Sequence, residues 1–173
     1  MLHLFIAIAL TKRTFKLQFF DYDCLNLTSH IKVFECVFER QSANRFIFSE
    51  RLMLSRDMNE NFEMHLFISA KPRYGKKKVQ FIDVRFNVCE FLNHPLQVQM
   101  LRSLLLELFR SSNIPLNCPF KGDFLYKMNN FSFTDAYFPR YTPAVNFTFQ
   151  MEFFDGKTMF AITRITGDIT PSR

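Results

Sequence analysis

The residues best suited to catalysis or metal binding are four histidines (His3, His30, His65, His94) and four cysteines (Cys24, Cys36, Cys89, Cys118). No Cys-x-x-Cys pair occurs, and no histidine stands at zinc-finger distance from a cysteine, so no metal site is expected. The chain has no Gly-x-Ser-x-Gly elbow, no Gly-x-x-x-x-Gly-Lys phosphate loop and no His-Glu-x-x-His pair. With only 4 glycines, Gly-rich phosphate cradles are excluded. His65 reads as a residue on the polar side of a strand, and His94 abuts a helix start. Among the acids, Asp21, Asp23, Glu35 and Glu39 have no spacing that selects a glycosidase-like couple. The expectation is a non-enzyme without cofactor or metal.

Four cysteines are better read as two disulfides, for which three pairings exist. Three glycan acceptor sequons accompany them, at Asn26-Leu-Thr28, Asn130-Phe-Ser132 and Asn146-Phe-Thr148. The first residues, Met-Leu-His-Leu-Phe-Ile-Ala-Ile-Ala-Leu, have the length of a signal-peptide apolar segment, with Ala7 and Ala9 small enough for cleavage. Together these features predict a secreted glycoprotein with a leader over 1–12 and one domain over 13–173. The net charge of +6 is spread along the chain. Its densest basic stretch, Lys71, Arg73 and Lys76-Lys77-Lys78, flanks Gly75 in a predicted turn without the interleaved aromatics of a nucleic-acid face, so no nucleic-acid partner is expected.

The elements that hold these residues alternate with period two. Phe62-Met64-Leu66-Ile68-Ala70, Ile82-Val84-Phe86-Val88 and Val145-Phe147-Phe149-Met151-Phe153 each interleave with more polar neighbours, as half-buried strands do. Earlier strands are predicted near 14–22, 31–40 and 45–55, and Asp155-Gly156 reads as a hairpin turn before a last strand over 158–166. One segment departs. Val98, Leu101, Leu104, Leu105 and Leu108 fall at helical spacing behind Pro95, predicting a single helix at about 95–111 capped by Asn93 or His94. The fold class is therefore mainly β: an antiparallel β-sandwich or β-cup, immunoglobulin-like, of seven to nine strands with one inserted helix. The 24 Phe, against 5 Tyr and no Trp, recur with Met on the apolar strand faces. Such faces close into a full core or splay around an apolar ligand.

The stretch Asn87-Val-Cys89-Glu-Phe91-Leu92, the helix ending Leu108-Phe109-Arg110, then Ser-Asn113-Ile114 and Asn117-Cys118-Pro119-Phe120 resembles a secreted insect family of unknown function abundant in fruit flies. Members of that family resemble the CheB chemosensory proteins. The family pattern is Asp-Val-Cys-x-Phe-Leu, a helix, Ser-Asn-Ile and Cys-Pro-Tyr; here Asn87 stands for the Asp and Phe120 for the Tyr. Cys24 and Cys36 fit its first half, and the resemblance covers about 15–167. Its fold is similar to ML-type lipid-recognition domains and the ganglioside activator. The resemblance implies a non-enzymatic extracellular binder of lipids or cuticular-hydrocarbon-like molecules, with a chemosensory role.

The inward strand faces then nominate Phe46, Phe48, Leu66, Ile68, Phe86, Phe147, Phe149 and Met151 as ligand-lining residues, with Leu101 and Leu105 from the helix; each is equally a candidate for plain core. A competing class is an extracellular interaction module, accessory to a membrane receptor or channel, with a packed core. A monomer is expected. Short closed loops predict Cys24–Cys36 across a first hairpin and Cys89–Cys118 around the helix.

Overall fold

A computed structural model of the chain describes residues 15–94, 102–138 and 142–172. The expected leader, 1–12, lies outside them. Eight strands form two antiparallel sheets: β1 (Phe15–Asn26), β2 (Ile31–Ser42), β3 (Arg45–Leu54), β4 (Phe62–Pro72), β5 (Val79–Asn87), β6 (Leu125–Thr134), β7 (Val145–Asp155) and β8 (Thr158–Pro171). The larger sheet has the order β1-β8-β7-β4-β5 and the smaller the order β2-β3-β6. This is the predicted β-sandwich. The alternation of apolar and polar residues fixes which face of each strand points inward.

Local chemistry sets the turns. Between β7 and β8 the paired residues are Asp155 and Thr158, so Gly156 and Lys157 make the loop, and Gly156 takes the positive φ (58°) that the tight connection requires. Between β2 and β3 that role falls to Asn44, at φ 59°. Its side chain also accepts the Leu17 amide (2.7 Å) and donates to the Phe15 carbonyl (3.1 Å), tying the smaller sheet to β1. Gly167 is required for space: a Cβ there would lie 2.5 Å from the ring of Phe147 and 2.4 Å from the Gln18 carbonyl.

The helix expected at about 95–111 is present over its described part, and a short helix precedes it. Among the described residues two α-helices occur, α1 (Val88–Asn93) and α2 (Arg102–Ser111); residues 95–101, Leu101 among them, lie outside the described set. Val88, expected at the end of a strand, opens α1 instead. Asn87 caps it, its side chain accepting the Glu90 amide at 3.0 Å, and Asn93, expected as a cap, is its last residue. The Asn-x-x-Glu spacing is the capping signal that marks this start.

Both expected disulfides form, Cys24–Cys36 and Cys89–Cys118. The first does not close a hairpin, however. β1 and β2 belong to different sheets, so the bond joins the sheets along one edge of the sandwich. The second ties α1 to the loop preceding β6. Among the described residues, no helix is long and apolar enough to cross a membrane.

The core is divided. One cluster, around Leu54, Phe62, Val88, Phe120, Phe153 and Phe160, includes residues of α1 and the loop before β6. The other, around Phe15, Leu17, Phe19, Phe46, Phe48 and Ile169, fills the opposite end. There Phe19 meets Phe46, Phe48, Phe133 and Phe147 edge-on at 4.8–5.6 Å, the geometry aromatic quadrupoles prefer.

Candidate functional site

Between the two clusters the register lays two rows of side chains across the inner face of the larger sheet. One runs Tyr22–Ile165–Phe149–Ile68–Ile82 and the next Cys24–Thr163–Met151–Leu66–Val84. On the smaller sheet the facing row is Cys36–Glu50–Met128. On the middle strand of the sheet the rows are less buried than the strand's ends. On β7, Val145 and Phe153 are each 7% exposed, whereas Phe147, Phe149 and Met151 between them are only half-buried. Yet β7 is an interior strand, flanked by β8 and β4.

Strand count leaves the far side of these rows open. The larger sheet has two strands more than the smaller, hence about 10 Å of extra width. Cys24–Cys36 pins the β1 and β2 edges together, so the excess falls on the β4–β5 side. The inner face of β5 shows it: Ile82 and Phe86 are half-buried, and Val84 is 42% exposed. The uncovered band is thus apolar, and it opens along β5.

The pinned edge is polar. Tyr22 Oη donates to Glu50 Oε2 at 2.6 Å. Burial pushes the Glu50 carboxyl above its ordinary range, which the Tyr22 hydrogen bond partly offsets. The Tyr22 hydroxyl is pushed well above its usual value by burial, then by the charge and hydrogen bond of Glu50. A Glu50 oxygen and the Cys24 and Cys36 sulfurs lie within 4.8 Å of one another. Both sulfurs are spent in the disulfide, so the trio offers no thiolate to a metal. Beside Cys24 in its row, Thr163 is fully buried and its hydroxyl lacks a hydrogen-bond partner.

The nominated lining residues divide between band and core. Ile68 and Phe149 are half-buried band residues, Met151 in the same rows packs against the first cluster, and Leu66 there is 6% exposed; Phe86 lies one row further, half-buried against Phe91 of α1. Phe147 is half-buried against the distal cluster. Phe46 and Phe48, each 2% exposed, sit inside that cluster. Leu105 is half-buried on α2. Sequence reading missed Glu50, Tyr22, Thr163, Ile82, Val84 and Ile165. The strand alternation was a sufficient signal for Ile82 and Val84; for Glu50 the signal is a lone acid in phase with Phe46 and Phe48.

The histidines lie elsewhere. His65 is on the outer face of the larger sheet, bonded to Glu152 (2.8 Å) and Asp83 (2.6 Å), whose hydrogen bonds raise its pKa in that order: Asp83, then Glu152. His30 contacts Thr28 Oγ1 at 2.7 Å and Asp155 Oδ2 at 3.2 Å. This resembles a hydroxyl–imidazole–carboxylate relay, but the Thr28 hydroxyl also accepts the His30 amide, and the Asp155 carboxylate is shared with Arg56. The set fastens the β1–β2 turn onto the β7–β8 hairpin. The sequon residues Asn26, Asn130 and Asn146 are all exposed.

Residues 62–149, about half of the chain, match the family described as "Protein of unknown function (DUF1091)". The chain belongs to that family. The match agrees with the expected membership of a family of unknown function. No curated protein matches the chain. The DUF1091 segment runs from β4 into β7. It therefore contains the open side of the band, including Ile68, Ile82, Val84 and Phe149, and the Cys89–Cys118 bond. The polar edge, with Tyr22, Glu50 and Thr163, lies outside it.

Proposed function

We propose that this protein is a secreted, non-enzymatic carrier of a lipid or cuticular-hydrocarbon-like molecule, held along the band between its two sheets. The observation behind this reading is the interruption of the core on β7, where buried ends flank a half-buried apolar middle on an interior strand. A site of this kind is lined by aliphatic and aromatic side chains with few polar groups. Each methylene moved from water into it contributes about 0.8 kcal/mol, so a dozen suffice for tight retention. The ML-like likeness, the CheB-like relation and a chemosensory role in an insect belong to the same reading. Secretion is supported by two disulfides, which persist in oxidising compartments, and glycans on Asn26, Asn130 and Asn146 would point into solvent.

The test is native mass spectrometry of the secreted protein together with a lipid extract of what co-purifies. A stoichiometric fatty acid, alcohol, sterol or hydrocarbon is expected. The variant Ile68→Phe, which adds bulk on the band without polarity, is expected to lower occupancy about tenfold while leaving the urea midpoint nearly unchanged. Overpacking a filled core would instead cost about 1–3 kcal/mol. Unchanged occupancy, or a large loss of stability, would reject the carrier. A second reading, an interaction module accessory to a membrane protein, is favoured by the exposed Val79 and Phe81 on β5. It becomes the preferred one if the protein is apo and takes up no apolar ligand.

A further inference from the structure

We propose that Tyr22, Glu50 and Thr163 form a head-group site at the closed end of the band, one that takes the hydroxyl of a long-chain alcohol or sterol and disfavours a carboxylate. The inference rests on the carrier reading and specifies its ligand.

Geometry supplies the argument. The inner rows run from the disulfide-pinned edge to the open edge, about 19 Å over five strands. Tyr22 begins one row and Cys24, with Thr163 beside it, begins the other; both rows continue through apolar residues to Ile82 and Val84. A molecule lying along them has its apolar length against Phe149, Ile68 and Leu66, and one end against the polar trio. That end meets the Thr163 hydroxyl and the Glu50 carboxyl. Thr163 is fully buried with its hydroxyl unpartnered, which carries a desolvation cost unless something pairs with it. Glu50 accepts from Tyr22 through Oε2, which leaves the second oxygen of its carboxyl to face a ligand.

The chemistry of these groups selects the ligand. An alcohol donates to the Glu50 carboxyl while its oxygen accepts from the Thr163 hydroxyl, so one head group satisfies both. A fatty-acid carboxylate would place a second negative group against Glu50, and two carboxyls sharing a site resist joint ionisation. A plain alkane leaves Thr163 as it is.

The experiment compares three sixteen-carbon ligands on the delipidated, disulfide-intact protein by native mass spectrometry in competition: hexadecane, 1-hexadecanol and palmitate. Hexadecanol is expected to bind about tenfold more tightly than the other two, the value of one well-made hydrogen bond to a charged group. Glu50→Gln is expected to raise palmitate binding severalfold. Thr163→Val, close in shape, is expected to reduce the hexadecanol preference severalfold without altering hexadecane itself. Should Glu50→Gln fail to fold, Thr163→Val and Tyr22→Phe carry the test. Equal binding of all three by the native protein, or a hexadecanol preference untouched by Thr163→Val, would overturn the head-group site while leaving the carrier intact. Failure to bind even hexadecane would remove the carrier reading and this inference with it.

Discussion

At the β1–β2 edge the two sheets are joined by Cys24–Cys36 and by the Tyr22–Glu50 hydrogen bond. At the β4–β5 edge the larger sheet extends past the smaller one, and Val84 faces inward yet remains 42% exposed. The difference originates in strand count and not in missing side-chain volume. Val84 and Ile82 are ordinary core residue types, left part-exposed because nothing in a three-stranded sheet reaches β5. A five-on-three sandwich pinned at one edge acquires an apolar band as a consequence of its topology. Phe-rich faces then serve as a packed core at the two ends and as an accessible surface in the middle.

The largest expected effect tests that division directly. Phe48→Ala, within the distal cluster, is expected to cost about 3–5 kcal/mol in urea unfolding, the loss typical of a phenylalanine removed from a close-packed site. Phe149→Ala removes the same atoms from the band and is expected to cost about 1–2 kcal/mol, because the ring is already partly in water. Equal losses would mean that the band is packed core, and the contrast between middle and ends would disappear.

The disulfides provide the next test. Replacing Cys24 and Cys36 together by alanine is expected to cost about 2–4 kcal/mol, and so is replacing Cys89 and Cys118. Their locations should separate in hydrogen exchange. Without Cys24–Cys36, protection is expected to fall on β1 and β2, where the sheets are pinned. Without Cys89–Cys118, the loss should be confined to α1 and the loop before β6. A loss of protection spread over both edges in either variant would mean that the pinned edge is not an independent unit.

Much of the fold was legible in the sequence because period-two alternation is a local signal. Strands β2, β3 and β4 lie close to where Phe34, Phe46 and Leu66 predict them, and cysteine spacing suggested both bonds. What the sequence could not express is which strands share a sheet. Cys24–Cys36 was expected to close a hairpin because the two strands are neighbours in the chain, whereas pairing β1 with β8 is a long-range choice. The same gap hid the site. Phe46 and Ile82 stand in the same alternating apolar pattern, and only the width of the opposing sheet leaves one in the core and the other at the open side. Glu50 was invisible as an inward acid because a single charge in an apolar phase also reads as a strand end. The start of α1 was missed for a different reason: Asn87-x-x-Glu90 was readable, but Val88 also completed the preceding strand pattern.

The smallest effect concerns how the overhang is held from outside. Lacking a partner sheet beneath it, β5 is held by β4, by the contact of Phe86 with Phe91 of α1 (4.9 Å) and by outer-face contacts. There His65 of β4 bonds both to Glu152 of β7 and to Asp83 of β5. These carboxylates favour the imidazolium, so the folded-state pKa is raised above the ordinary 6.5. A raised folded pKa means that the native state binds more protons than the unfolded state, and stability falls as pH rises between the two values. The contribution is present in full below the ordinary value and is lost as pH climbs through the raised one. Because the site is partly solvated, it amounts to less than about 1 kcal/mol. His65→Gln is therefore expected to lower the unfolding free energy slightly at pH 5.5–6 (about where the imidazolium is fully formed) and to leave it unchanged in alkaline solution. The accompanying loss of amide protection should fall on β5 and not on β1. A pH-independent cost would assign His65 a packing role alone, and the charge holding the overhang would then rest on the Arg85–Glu63 pair between β5 and β4.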